Sequence, residues 1–490
     1  MSTSKNERSA DRPRCYAAVD LGASGGRVVL GIVTDGSVEI GEVYRFPNGV
    51  IETDSGVYWD FEQLFAHTIE GLALAARRCD EVGAVLAGIG VDAWGVDWAY
   101  LSACGEVELP ARAYRGAPDP APAIERRTLS PRAVYARSGV IDHSINTALR
   151  LSDEALTRRF AGETLVFTPD LWIYWLTGAV GTDPTIASTS QLVDPRSGLF
   201  SNELVEAVGI GGLRLPPVLP VGSLAGLTTE AITARLGVAK PVTVFRVAGH
   251  DTACAFAFSD PGAEKRTALI SSGTWSLVGV ALDAPANGEA ARAAGFTNER
   301  GAAGVLAIRN LTGLWMLQEC AREWEAIGHP PLSYLIAASD GSPFDERTFD
   351  IADDRLFGAG GMEGRIRTLC VEAGRPMEDS PISVVQAVLD SLAAGYAESI
   401  RIASAITGVE FDHARIVGGG SRNEVLCART ATLTGLPVLA GPVEATAIGN
   451  LAIQANADLA VSTVEEFYGR LTAEHMPRVY HPEPTEGSRR

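Results

Sequence analysis

Val244–Val280 reads VFRVAGHDTACAFAFSDPGAEKRTALISSGTWSLVGV and carries two chemically loaded segments a short run apart. Gly249-His250-Asp251-Thr252 directly follows the extended apolar run Val242–Val247. An Asp just past a strand serves as a base for a substrate hydroxyl when it faces a cleft. Ser271-Ser272-Gly273-Thr274-Trp275-Ser276 lies between Ala268-Leu269-Ile270 and Leu277-Val278-Gly279-Val280. A small Ser/Gly/Thr turn between two strands offers backbone N–H groups and hydroxyls to a phosphate. The pair predicts an acid–base group and a phosphate cradle meeting at one junction, with one lobe of the chain on either side.

The chain has 490 residues, more than a single core usually holds, so two domains are expected. Its apolar fraction of 46% and charged fraction of 21% are those of a globular protein. No run approaches the ~18–20 apolar residues a membrane span needs, and the polar lead MSTSKNERSADRPR lacks a hydrophobic signal core. We expect residues 1–14 to be disordered and the protein to be cytoplasmic. A net charge of −19 argues against nucleic acid as the partner. It leaves room for a nucleotide, whose phosphates are held by backbone N–H groups and a metal ion. The seven cysteines (Cys15, Cys79, Cys104, Cys254, Cys320, Cys370 and Cys427) are scattered and form no C-x-x-C pair, which predicts buried thiols in a reducing compartment.

The opening pattern recurs near the N-terminus. Tyr16–Val19, Asp20, the turn Leu21–Arg27 and the apolar run Val28–Val33 read as strand, Gly-rich turn, strand, and Val38–Phe46 supplies a third strand. A P-loop needs Lys-Ser/Thr and a helix after its glycines, and a dinucleotide fingerprint needs a helix; here Val-Val-Leu follows. The turn therefore reads as a hairpin cradle, with Asp20 placed to suit magnesium directly or through water. Taken alone it is equally compatible with a plain hairpin. Residues 16–33 and 268–280 look like equivalent hairpins starting two lobes, and the composition shift at Phe258–Lys265 marks the boundary: 15–260, 261–460 and a C-terminal extension over 461–490.

Between the hairpins, Asp60–Arg78 has helical spacing. A buried strand at Ala87–Val91 runs into Asp92-Ala93-Trp94-Gly95-Val96-Asp97-Trp98, where carboxylates and indole rings suit a polyhydroxylated ligand. Helices are expected at Ser152–Phe160 and from Pro169 to Leu176, with Thr185–Ser190 a polar loop. In the second half, helices are expected over Leu311–Trp324, residues 382–405, Asn423–Thr434 and Thr446–Ala457. Ala414–Val417 reads as a strand entering Gly418-Gly419-Gly420-Ser421, where successive glycines let a flat ring lie against the backbone. The residues from about Pro482 read as frayed.

DLGASGGR, GVDAWGVDW, FTPDLWIYWLTG, AGHDTA, ISSGTWSL, the LWMLQEC region, IVGGGSRN and AGPVEATAIGN occur in the order seen in the FGGY carbohydrate kinases. The chain most resembles their rhamnulokinase branch, from about residue 15 to about residue 457. The resemblance implies an α/β fold of two actin-like ATPase (ribonuclease-H-like) lobes closing on ATP. It also implies phosphorylation of O1 of L-rhamnulose with Mg²⁺, by a monomer or homodimer with no nucleic acid or membrane partner. L-fuculose or D-xylulose is the alternative sugar, and a nucleotide-binding scaffold without transfer is the alternative class. Carried over by position, Asp251 is the proton acceptor, and Gly95, His250, Thr252 and Asn310 contact sugar. Ala23, Ser24, Gly25, Gly26, Arg27, Thr274, Gln318 and Gly419 contact ATP, and Asp20 is the acidic residue beside it. Three positions depart from the usual pattern: Gly25 replaces a Ser, Gly249 stands where Ser is frequent, and Gly116 where Asp is common.

Overall fold

The N-terminal hairpin forms with a tighter bend than its glycines suggested. Strand β1 (Arg14–Gly22) and strand β2 (Gly25–Val33) pair until Gly22 faces Gly25, so the turn itself is only Ala23-Ser24. Strand β3 (Val38–Pro47) adds antiparallel to β2. Helix α1 (Phe61–Glu81), capped by the Asp60 carboxylate on the N–H of Gln63, then returns the chain to strand β4 (Val85–Ala93), parallel to β1. Strands β5 (Leu224–Leu227) and β6 (Thr243–Phe245) complete a six-stranded sheet in the order β5-β6-β4-β1-β2-β3. In the computed structural model residues 13–483 are described, apart from 157–159, 161, 260, 261, 263, 265, 359 and 376.

The same plan repeats after helix α2 (Asp251–Ala255). Strands β7 (Thr267–Ser272) and β8 (Trp275–Leu282) form the second hairpin. Strands β9 (Phe296–Arg300) and β10 (Val305–Thr312) extend it antiparallel, and β11 (His413–Val417) and β12 (Val438–Ala440) add parallel on the other side of β7. With β13 (Arg478–Tyr480) the order is β9-β10-β8-β7-β11-β12-β13. In each sheet the first strand pairs antiparallel with the second on one side and parallel with a later strand, β4 or β11, on the other, the ribonuclease-H-like arrangement of an actin-like lobe. The lobes share connectivity, as the two hairpins led us to expect.

Both faces of each sheet are buried, which is why these strands read as continuous apolar runs. In β1, Cys15, Ala17, Val19 and Leu21 pack toward α1, while Tyr16 and Ala18 pack against helix α6 (Ala445–Ala457). Helix α3 (Trp315–Ala326), helix α4 (Pro381–Thr407) and helix α5 (Glu424–Thr434) cover the second sheet. α6 follows β12 of the second sheet in the chain yet lies on the first: Gln454 donates to the Ala17 carbonyl at 3.1 Å and Asn450 to Asp92 at 2.6 Å.

Several boundaries differ from expectation. Arg14 belongs to β1 and pairs with Asp458 at 3.1 Å, while residues 1–12 lie outside the described residues, as do 484–490 of the frayed end. The helix expected at Ser152–Phe160 runs over Thr147–Glu154, started by the tight hydrogen-bonded turn in which Asn146 Oδ1 accepts from the His143 N–H at 2.6 Å. Leu311 and Thr312 are not helical; they complete β10, where they pair with Ser276 and Trp275, and α3 starts at Trp315. Thr185–Ser190 is no loop but contains a buried helical turn, Pro184–Ser188. Within 461–490, Arg478–Tyr480 joins the second sheet. Of the cysteines, six are buried and Cys104 is exposed. Among the described residues no helix is long and apolar enough to cross a membrane.

Candidate active site

The carboxyl ends of β1, β4 and β6 deliver the chemistry, as they do in open α/β sheets generally. Asp20 and Asp92 are register partners on the parallel strands β1 and β4, and Arg27 lies across from Asp20 on β2. These three therefore form a row on one face. Arg27 donates to Asp20 Oδ2 from Nε at 2.8 Å and Nη2 at 2.6 Å, and its third nitrogen pairs with Glu444 at the start of α6. Asp92 is fully buried, with Oδ2 on Asn450 and Oδ1 without a donor among the described residues. Burial and the neighbouring Asp20 charge push its carboxyl well above the usual carboxylate range.

After β6 the chain docks onto β4: the Ala93 N–H donates to the Gly249 carbonyl at 2.9 Å and the His250 N–H to Thr185 Oγ1 at 3.2 Å. Asp183 caps the turn Pro184–Ser188 and accepts from the Gly249 N–H at 3.0 Å. A Cβ at residue 249 would fall on that Asp183 oxygen, so Gly here, where Ser is frequent, has a steric cause. Asp251 is the first residue of α2, and its Oδ1 accepts from the N–H of Thr252 at 2.5 Å and its hydroxyl at 3.1 Å. Burial pushes the Asp251 carboxyl up, while the adjacent His250 pulls it back down.

Between the lobes lies a cavity of about 330 Å³. Ala23, Ser24, Gly95, His250, Asp251, Thr252, Thr274 and Asn310 all line it. Residues from both hairpins and from the β4 end thus meet in one space, as the opening stretch predicts. Gly95 is tightly placed, since a Cβ would come 2.9 Å from the Thr189 methyl. Val96 beside it holds φ at 70°, a strained value for a β-branched residue. It is fixed there by Thr189 Oγ1 on its N–H at 3.0 Å and by the Thr147 hydroxyl on its carbonyl at 2.7 Å.

Other predicted residues stand elsewhere. Gly25 and Gly26 lie within β2, with Gly26 against the Phe46 ring, and the Arg27 guanidinium is committed to carboxylates. Gln318 is exposed on α3. Gly418 and Gly420 are closed off by Ser272, but a Cβ at Gly419 would meet nothing within 4 Å, so of the triplet only Gly419 offers open backbone.

Several residues that build the cavity carry no mark in the sequence. Thr189 lines it from the segment expected to be a bare loop, and Tyr114 and Glu299 line it as well. Asp97, noted only as an acid among indoles, is fully buried and accepts from Trp59 Nε1 at 2.6 Å, Trp94 Nε1 at 2.9 Å and Arg150 Nη1 at 2.5 Å. It fixes the Trp94 ring that walls the cavity. The Trp/Asp spacing of GVDAWGVDW was the available signal; no local pattern marks Glu299.

Residues 15–257 match the N-terminal domain of the FGGY family of carbohydrate kinases, and 268–457 match its C-terminal domain. A curated rhamnulokinase of Bacteroides thetaiotaomicron is 36% identical over 483 residues, covering 96% of each chain. The rhamnulokinase of Bacillus subtilis is 32% identical, covering 92% of each. Among solved structures, a xylulose kinase from Rhodospirillum rubrum superposes with a TM-score of 0.75 at 17% identity, covering 96% of this chain and 95% of that one. A gluconate kinase from Lactobacillus acidophilus gives 0.76 at 12% identity, covering 97% and 95%, which bears on the fold alone. Two repeated lobes, a cleft lined from both, and family matches spanning nearly the whole chain agree: this protein is a sugar kinase and belongs to the FGGY family of carbohydrate kinases.

Proposed function

We propose that the chain transfers the γ-phosphoryl group of ATP to O1 of L-rhamnulose, giving L-rhamnulose 1-phosphate and ADP, with Asp251 as proton acceptor. The observation that carries the reading is the meeting of the Asp251 carboxylate and the Thr274 turn in one cleft between the lobes. The name rhamnulokinase borne by relatives 31–36% identical supports the choice of sugar.

Asp251 takes the O1 proton as the O1–P bond forms and the bond from phosphorus to the ADP oxygen breaks. The N–H and hydroxyl of Thr252 hold Asp251 Oδ1, which leaves Oδ2 for the sugar hydroxyl. Ala23, Ser24 and Thr274 cradle the phosphates from the two hairpin turns, and Gly419 with Gln318 meets the nucleoside. Gly95, His250, Thr252 and Asn310 bind sugar. Mg²⁺ fits the hard oxygens here: Asp20 would hold it with water and nucleotide phosphates, beside the donorless Asp92 Oδ1. When bound, it neutralises charge on the phosphates. Lobe closure excludes the water that would otherwise accept the phosphoryl group.

Sugar-dependent ADP release with Mg-ATP tests the reading across L-rhamnulose, L-fuculose, L- and D-xylulose, L- and D-ribulose and glycerol. The highest kcat/KM is expected for L-rhamnulose. A higher value for another ketose would overturn the substrate, and ATP binding without release on any sugar would overturn the transfer.

A further inference from the structure

His250 belongs to the first lobe and Glu299 to the second, and they meet in the cleft. The His250 ring lies between two carboxylates: Nδ1 is 3.1 Å from Glu299 Oε2, and Nε2 is 3.3 Å from Asp251 Oδ1. Its backbone is pinned to the first lobe through Thr185 and β4. Glu299 sits on β9, the edge strand of the second sheet, and the next N–H, that of Arg300, donates to Ser188 Oγ at 2.9 Å. The Glu299 side chain is only 12% exposed, and among the described residues His250 is its sole ion-pair partner. A carboxylate withdrawn from water into a cleft is costly unless a charge answers it.

We propose that Glu299 is a positioning residue: from the second lobe it holds the His250 ring as an imidazolium whose Nε2–H faces Asp251, so that the base is aligned and kept ionised. This rests on the reading of Asp251 as proton acceptor. A ring protonated on both nitrogens stands within ion-pairing distance of both carboxylates and answers the charge of each. Burial is the largest single influence and favours the neutral ring, but Glu299 together with the Asp251 and Asp183 charges outweighs it and raises His250 to about 9. The groups facing Asp251 are His250, Asp20, Asp92 and the Thr252 donors; burial and Asp20 disfavour its charge, His250 with Thr252 favours it, and Asp92 is itself raised by Asp251. Without Glu299 burial would favour the neutral ring at a lower pH, and Asp251 would lose its cationic neighbour sooner as pH rises.

The experiment compares wild type, Glu299→Gln and Glu299→Asp. E299Q keeps the shape and removes the charge. The expected result is a fall of roughly tenfold to a hundredfold in kcat/KM for sugar, with KM for ATP unchanged. Its pH profile should narrow from both sides, the acid limb moving up as Asp251 becomes harder to ionise and the alkaline limb moving down with His250. E299D should recover part of the loss. By NMR, the His250 imidazole should titrate near 9 in wild type and at least about one unit lower in E299Q. A folded E299Q with an unchanged pH profile, or a wild-type His250 titrating near its ordinary value of 6.5, overturns the proposal. If wild type released no ADP with any sugar the transfer reading would fall, while the NMR titration would still decide the Glu299–His250 pairing.

Discussion

At Asp251 two effects oppose each other, burial raising the carboxyl and His250 lowering it, with burial the larger. Replacing the base without changing its shape separates chemistry from binding. D251N should lower kcat by roughly 10²–10⁴-fold while ATP binding, measured by calorimetry, stays near wild type. His250 also links the site to stability. Its folded value of about 9 exceeds the ordinary 6.5, so its contribution is complete below about pH 6.5 and is lost as pH rises through about 9. The urea midpoint should fall across that window in wild type and fall less in E299Q. Asp97 poses a different problem, since it is buried with Arg150, Trp59 and Trp94 all donating to it. D97N leaves the Arg150 charge unmatched, at a cost of about 3 kcal/mol. That figure is the lower end of the range because Arg150 also donates to the Arg112 carbonyl and stacks on Trp98 at 4.5 Å. A depressed Tm together with a raised sugar KM is the expected outcome, because Trp94 loses its anchor.

Among the elements, α2 and α6 pack closely at Gly449, where a Cβ would fall on the carbonyl of Cys254, three residues after Asp251. Ala would improve the helix by about 1 kcal/mol, but its Cβ would fall on backbone that no rotamer change can move aside. Overpacking of this kind costs ~1–3 kcal/mol, and contact with backbone places it at the upper end. G449A should therefore lower stability by about 1–2 kcal/mol net in chemical denaturation, with a fall in kcat as α2 shifts. Similar reasoning explains the triplet Gly418-Gly419-Gly420. Two of its glycines are packing requirements imposed by Ser272, and one opens onto space.

At the scale of the molecule, two of the ties between the lobes are made by α6 and β9. α6 lies on the first sheet through Asn450 and Gln454, and β9 is stitched to the first lobe by the Tyr135 hydroxyl on the Phe296 carbonyl at 2.8 Å and the Asn298 N–H on the Gly139 carbonyl at 2.9 Å. Movement about these ties would open and shut the cleft between the hairpin turns. Small-angle scattering should show the radius of gyration falling when sugar and a non-hydrolysable ATP analogue bind together; an unchanged radius would contradict closure. Asn450→Ala would leave Asp92 with no donor on either oxygen, and should cost about 1–3 kcal/mol as read from the Tm.

Sequence alone determined the two hairpins, their equivalence, and the junction where Asp251 and Thr274 meet. Buried parallel strands write themselves as apolar runs, and a functional turn needs residue types in local order. It also located α1, α4 and α5, whose caps and periodicity are local. The tertiary structure alone decided where β10 ends and α3 begins, because strand pairing with β8 overrides the helical pattern of Leu311 and Thr312. It decided as well that Arg27 answers Asp20 and Glu444, that Gly249 yields to Asp183, and that Glu299 reaches His250. Each of these pairs joins residues on different strands or turns, and two of them join different lobes. A contact between distant segments leaves no period or spacing in the chain, so it exists only once the sheets have assembled.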